Sequence, residues 1–257
     1  MKRIASILFF VFSLSIFLSG SALATQNEKL TDKEKERIKK IDTLMVEAWK
    51  KGGQTEVEKV LAENGIVKVK KSDQASETQD AQVLGDIGIQ SAGSQVSKGI
   101  ECYFDTTAKK YLAQGWFDWS GSYDTQNFPQ DAIGIYMDSP SGSNIASYGC
   151  QVFNNYRDLT SEVWLEDFES CGVVYAVDDT YTLGSYNCDN GIIWMWLSAP
   201  PTASYFKMQY KHTYNTGSVS DIQIGTGGIN MTFGTVPANW TVTAPSPKMY
   251  NNGWPTN

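Results

Sequence analysis

The sequence has a single histidine, His212, in 257 residues. A catalytic zinc site ordinarily draws two or three imidazoles, so that class is excluded unless carboxylates replace them. The four cysteines, Cys102, Cys150, Cys171 and Cys188, stand too far apart for a CxxC-type zinc or redox motif. A cysteine nucleophile would have to take His212 as its base, and a packed, hydrogen-bonded histidine is the simpler reading. There is no GxSxG elbow, no HExxH and no glycine-rich phosphate loop. Gly225-Thr226-Gly227-Gly228 follows a predicted strand, but no helical pattern follows it, so it reads as a turn. Basic residues are few, 21 against 28 acidic. An acidic chain without a basic patch repels phosphate backbones, which excludes nucleic acid as a partner. Beyond residue 25 no apolar run approaches the roughly 20 residues that a membrane helix needs. No motif implies a cofactor, and no cluster implies a metal.

The chain does open on a targeting pattern. Met1-Lys2-Arg3 is a short basic start, Ile4 to Leu18 is apolar with small serines inside it, and Ala22-Leu23-Ala24 has the small-x-small form that signal peptidase accepts. Residues 1–24 are expected to be a signal peptide, cleaved before Thr25. The apolar core is shorter than a spanning helix, which argues against an uncleaved anchor. With no cysteine near the cleavage point a lipid anchor is not expected. The destination is outside the cell or in its envelope, with no transmembrane segment left after cleavage. Loss of Lys2 and Arg3 takes two positive charges from a net −7, leaving −9.

Composition then changes near residue 98. Residues 25–98 balance their charges and hold one aromatic residue, Trp49, whereas residues 99–257 hold every tyrosine, the other seven tryptophans and all four cysteines. Thr31-Asp32-Lys33-Glu34 fits a capping box. Ile38, Ile41, Met45 and Trp49 recur at helical spacing behind it, with Leu44 and Ala48 widening the stripe. Gly52-Gly53 stops that helix. A shorter one carrying Val57, Val60 and Leu61 runs to Asn64-Gly65. Residues 25–70 are thus a helical region. Lys70-Lys71 makes it either a removable pro-region or a helical subdomain that stays attached. Residues 71–98, rich in Ser, Gln, Ala, Gly and Asp, read as a linker.

Residues 99–257 read as a β domain. Short aromatic and β-branched runs alternate with Gly, Pro, Asn, Asp and Ser. They predict strands at 100–106, 110–119, 131–137, 145–153, 162–168, 171–177, 181–187, 192–198, 203–214, 219–224, 229–233 and 239–243. No crossover helix fits between them, so the expected fold is mainly β, an antiparallel sandwich, with a closed barrel as the alternative. Along 204–214, Phe206, Met208, Tyr210, His212 and Tyr214 share one face, and along 192–197 both faces are apolar. Four cysteines in an exported chain predict two disulfides, Cys102–Cys150 and Cys171–Cys188.

The aromatic excess directs the functional reading. Trp116 shares a predicted face with Gln114 and Asp118, while Phe117 and Trp119 face the other way. A tryptophan on a polar face stacks on a sugar ring or fills a partner's pocket. Trp116, Asp118, Trp194 and Trp196 are the expected ligand-binding residues of a secreted, non-catalytic module for carbohydrate or a cell-surface partner. A glycoside hydrolase-like enzyme is the first alternative. Its carboxylate candidates are Glu162 and Glu166, which a straight strand places beside Trp164. An exported toxin or antimicrobial protein with a helical pro-region is the second. The turns Asp178-Asp179 and Asp189-Asn190-Gly191 offer oxygen atoms for calcium without the EF-hand spacing.

Overall fold

The computed structural model describes residues 30–69, 96–119, 131–141, 144–154, 156–158, 163–177, 181–182, 185–186, 188–199, 201–214, 219–233 and 238–250. The expected signal peptide, most of the expected linker and the Asp178-Asp179 turn lie outside those residues. Two helices, α1 (Asp32–Gly52) and α2 (Gln54–Glu63), precede the strands β1 (Ile66–Lys68), β2 (Val96–Asp105), β3 (Lys110–Trp119), β4 (Asp131–Met137), β5 (Asn144–Phe153), β6 (Val163–Glu169) and β7 (Gly172–Val177). There follow β8 (Tyr181–Thr182), β9 (Ser185–Tyr186), β10 (Asn190–Ala199), β11 (Ala203–Tyr214), β12 (Val219–Gly225), β13 (Gly228–Phe233) and β14 (Ala238–Tyr250).

The strands pair antiparallel into two five-stranded sheets, β1-β2-β3-β10-β5 and β14-β11-β4-β7-β6. No ladder among the described residues joins one sheet to the other, so the architecture is a sandwich and not a barrel. The period of two seen in the sequence decides what lies between them. Ala113 and Phe117 of β3 and Ile193, Met195 and Leu197 of β10 point inward. They meet Ile133 and Ile135 of β4, Val173 of β7, and Phe206, Met208 and Tyr210 of β11. Each sheet also carries an outer layer. The helices cover the first sheet, and the β12–β13 hairpin covers Ala132, Tyr136, Val174 and Ala176 of the second. That is why β10 is apolar on both faces.

The capping box forms as expected. Glu34 N–H donates to Thr31 Oγ1 at 3.2 Å and Thr31 N–H donates to Glu34 Oε2 at 2.7 Å. Ile38, Ile41, Met45, Ala48 and Trp49 are the buried stripe of α1. Gly53, at φ 66°, ends the helix in backbone territory that a Cβ would strain. The strand predictions miss in four places. β2 opens at Val96, so residues 96–98 of the expected linker belong to the first sheet. β1 is three residues long, too short to show a period. The run 181–187 is two fragments forming a small hairpin. β14 continues to Tyr250 through Pro245 and Pro247; proline argues against a central strand, but β14 is the outermost strand of its sheet, where a missing N–H is tolerated.

The expected disulfides are not there: none of the four cysteines is bonded to another. Cys102 on β2 and Cys150 on β5 have β3 and β10 between them. Three strand spacings are about 14 Å, twice the roughly 7 Å limit for bridged Cα atoms. Cys171 opens β7 beside Met137, whereas Cys188 precedes β10 at the far end of the sandwich, where β7 finishes. A six-residue strand spans about 20 Å. Sequence proximity of 171 and 188 thus says nothing about their spacing in space. Burial pushes the Cys102 and Cys150 thiols far above their ordinary range.

Candidate binding site

The outer face of the first sheet carries the four residues expected to bind. Alternation on β3 and β10 places Gln114, Trp116 and Asp118 beside Asn190, Ile192, Trp194 and Trp196, with Trp116 opposite Ile192 and Gln114 opposite Trp194. Two indoles lie flat across neighbouring strands. A Cβ built on Gly99 of β2 would meet the Trp116 ring at 2.6 Å, and one built on Gly149 of β5 would collide with the Trp194 ring. Glycine at those two positions is what lets each ring lie down on the sheet.

In this structure the helices occupy that face. Trp196 is fully buried, Trp194 is 6% exposed and Trp116 is half-buried, its ring 6.2 Å from that of Trp49 on α1. The cover is pinned by polar contacts. Trp49 Nε1–H donates to Asn190 Oδ1 at 2.7 Å, and Trp196 Nε1–H donates to Asp42 Oδ1 at 2.8 Å. Arg37 holds the buried Asp105 through two bonds, of 2.6 and 2.8 Å, and Lys110 pairs with Glu34 at 3.1 Å. Asp118 faces Arg157 at 3.2 Å, and Arg157 also donates to the Trp49 carbonyl. Burial raises the Asp118 pKa, with Arg157 opposing the rise. Asn190, a candidate calcium ligand by sequence, has its side-chain oxygen taken by Trp49. Among the described residues no group of three His, Cys, Asp or Glu is placed to hold a metal ion.

Asp42 is the weak pin. Burial pushes its pKa up from 3.8 to about 6, although the Trp196 and Trp194 indoles pull it back. Trp194 Nε1 makes no well-formed hydrogen bond to it or to any other group. Because the folded-state pKa is the higher one, the stability linked to this carboxyl is fully present below pH 3.8 and is lost as pH rises through about 6. Asp42→Asn keeps an acceptor for Trp196 and never ionises. It is expected to add about 2–3 kcal/mol at pH 7 and to flatten the decline from pH 4 to 7 in urea unfolding. Parallel profiles for wild type and variant would show that Asp42 is not the titrating group.

A second surface is open. β6 is the edge of the second sheet, and it shows Trp164, Leu165 and Phe168 at 43%, 48% and 43% exposure. The ladder with β7 slips between Leu165 and Asp167, so Glu166 is a bulged residue without an opposite number. The bulge brings Asp167, not Glu166, onto the outer face with Trp164; their partners Ala176 and Val174 both belong to the outer core. Glu162 lies outside the described residues. Past the bulge, Glu166, Asp167, Glu169, Ser170 and the β12 segment 221–226 line an open cleft of about 470 Å³, and Trp164 lies along the same strand face as Asp167 without lining it. Among the described residues it holds Glu166, Asp167, Glu169 and Asp221 and no lysine or arginine. Asp167 is committed to structure, accepting from Phe168 N–H at 2.9 Å and from Ile224 N–H at 2.8 Å. Asp221 accepts from Gln223 at 2.8 Å.

His212 is buried, as the simpler reading expects. Its Nδ1 sits 2.8 Å from Asp131 Oδ2, which also accepts from the Tyr210 hydroxyl, while Thr213 N–H donates to Asp131 Oδ1 at 2.8 Å. Trp119 closes the cluster edge-on to both rings. Sequence gave no pointer to Asp131, which lies 81 residues from His212. Nor did it single out the exposure of Trp164, since alternation gives a residue's face but not what covers it.

No protein-family model matches the chain, and no curated protein matches it. Among solved structures, one described as "AvmM Catalyzes Macrocyclization in Alchivemycin A Biosynthesis" is similar at 9% identity, over 63% of this chain and 92% of that one, with a TM-score of 0.26. A likeness that slight carries no argument about fold or function. Among the described residues no helix is long and apolar enough to cross a membrane.

Proposed function

We propose that this chain is an exported, non-catalytic binding module that takes carbohydrate on the β6 surface. The observation that carries the reading is an exposed indole, Trp164, on the same strand face as Asp167, which lines an open cleft holding Glu166 and Glu169 as acceptors for sugar hydroxyls. A flat ring held on a strand loses little rotamer entropy on binding. The enzyme alternative needs two carboxylates free to exchange protons. Asp167 is held at both oxygens by backbone N–H groups, which suits it to shaping the cleft.

Trp164→Ala tests the reading. Its stability should change by less than about 0.5 kcal/mol, as for an exposed position. Binding to a glycan array should weaken by about 2 kcal/mol, some 30-fold. Retained binding by the variant, binding only to an envelope protein, or hydrolysis of a polysaccharide by the wild type would each overturn it.

A further inference from the structure

We propose that the outer face of the first sheet is a second, masked carbohydrate platform, covered here by the chain's own α1–α2 hairpin and uncovered when that hairpin undocks. The inference stands apart from the Trp164 surface. Trp116 and Trp194 lie flat over Gly99 and Gly149, the arrangement in which an indole presents its whole π-face outward. The face also holds hydrogen-bonding capacity that the helices leave unmet. Gln114 is fully buried with Oε1 unpartnered, and Trp194, 6% exposed, has Nε1 unpartnered. On the cover itself Gln54 Oε1 is buried and unpartnered, although its Nε2 reaches the Tyr103 hydroxyl at 3.0 Å.

The backbones of Gln114 and Trp194 are paired on β3 and β10, and their side chains offer one acceptor and one donor, the two kinds of bond that a hydroxyl makes. Two flat rings, one of them carrying a donor, with an amide acceptor on the strand beside them offer the groups that a pyranose ring engages. The hairpin fills it imperfectly, and its groups mimic those of a ligand: the Asp42 carboxylate accepts from the Trp196 N–H and the Gln54 amide N–H donates to the Tyr103 hydroxyl oxygen. Undocking returns Gln54 Oε1, Gln114 Oε1 and Trp194 Nε1 to water and so recovers bonds that docking forfeits, against the loss of the Trp49–Asn190, Trp196–Asp42, Arg37–Asp105 and Lys110–Glu34 contacts. The capping box and the Asp32–Lys35 and Glu56–Lys59 pairs are internal to the hairpin and survive its release.

Two measurements on the full chain decide the matter. Hydrogen exchange of the wild type should show α1 and α2 amides opening at least roughly 100-fold more often than those of β7 and β11, as separate units do. Exchange of helices and sheets only together would overturn the proposal without any variant. The second measurement titrates cellohexaose, xylohexaose and chitohexaose against wild type and Ile41→Asp, which puts a charge into the docked face of α1. If the cover is open about 1% of the time, loosening it should tighten apparent affinity for one probe by about 10- to 100-fold. Adding Trp194→Ala should abolish that gain. A loosened protein that binds none of the three, or binds through Trp194→Ala unchanged, overturns the inference. Should Ile41→Asp fail to fold, the exchange measurement decides alone. Binding lost in Trp164→Ala but unmoved by Ile41→Asp would leave the β6 reading standing and sink only this one. Binding gained in Ile41→Asp and indifferent to Trp164→Ala would do the reverse.

Discussion

Replacing Asp131 with alanine is expected to destabilise the protein by about 3–5 kcal/mol, the scale for removing one partner of a buried charged network. Asp131 is fully buried and stitches the start of β4 to β11 through Tyr210, His212 and Thr213. Alanine removes the buried acceptor that the Tyr210 hydroxyl, the His212 ring and the Thr213 N–H share. Asp131→Asn keeps the volume and an acceptor for Thr213, and its amide can donate toward Tyr210 and His212. Its loss should be smaller, about 1–2 kcal/mol, in line with exchanging a charged for a neutral hydrogen bond. Urea unfolding of both variants would check the pair of values. A loss below about 1 kcal/mol for alanine would mean that the network is not fixing that end of the sandwich.

The second large effect is at Trp196. Its indole is fully buried between the first sheet and α1, in the core that also holds Ile41, Met45, Leu61 and Phe153. Trp196→Ala removes that volume from a central strand and deprives Asp42 of its N–H donor, so the cost should be about 3–5 kcal/mol. The same substitution at Trp164, on the open edge, should cost almost nothing. Two tryptophans on two strands thus separate by burial and by the bond that Trp196 gives Asp42. If both variants melt alike, the hairpin does not rest on the sheet as described.

Much of this architecture was legible because it follows from local rules. The face assignments on β3, β10 and β11 came from alternation, and Thr31, Glu34, Gly53 and Asn64 mark helix ends by chemistry acting within four residues. The illegible part is what one element does to another. Alternation placed Trp116, Asp118, Trp194 and Trp196 on one face but could not show that α1 and α2 lie on it. A straight strand puts Glu166 beside Trp164, but a bulge, set by pairing with β7, hands that place to Asp167. Cys102 and Cys150 looked like a plausible bridge because the sequence does not tell strand order. Asp131 was invisible as a partner of His212 for the same reason. Contacts at separations of tens of residues depend on topology, and a single sequence carries little direct signal for it.

The unbonded cysteines bear on how the chain reaches its fold. Four thiols allow 3 pairings, and in this molecule none of them is native. Oxidation before the strands have assembled can therefore only divert the chain, since any crosslink formed then must be undone. The thiols are reactive while the chain is open and sheltered once the sheets close over Cys102 and Cys188. Folding is thus a race between strand assembly and sulfur chemistry, won by speed or by a reducing surrounding, and recovery from inclusion bodies should be best with reductant present from start to finish.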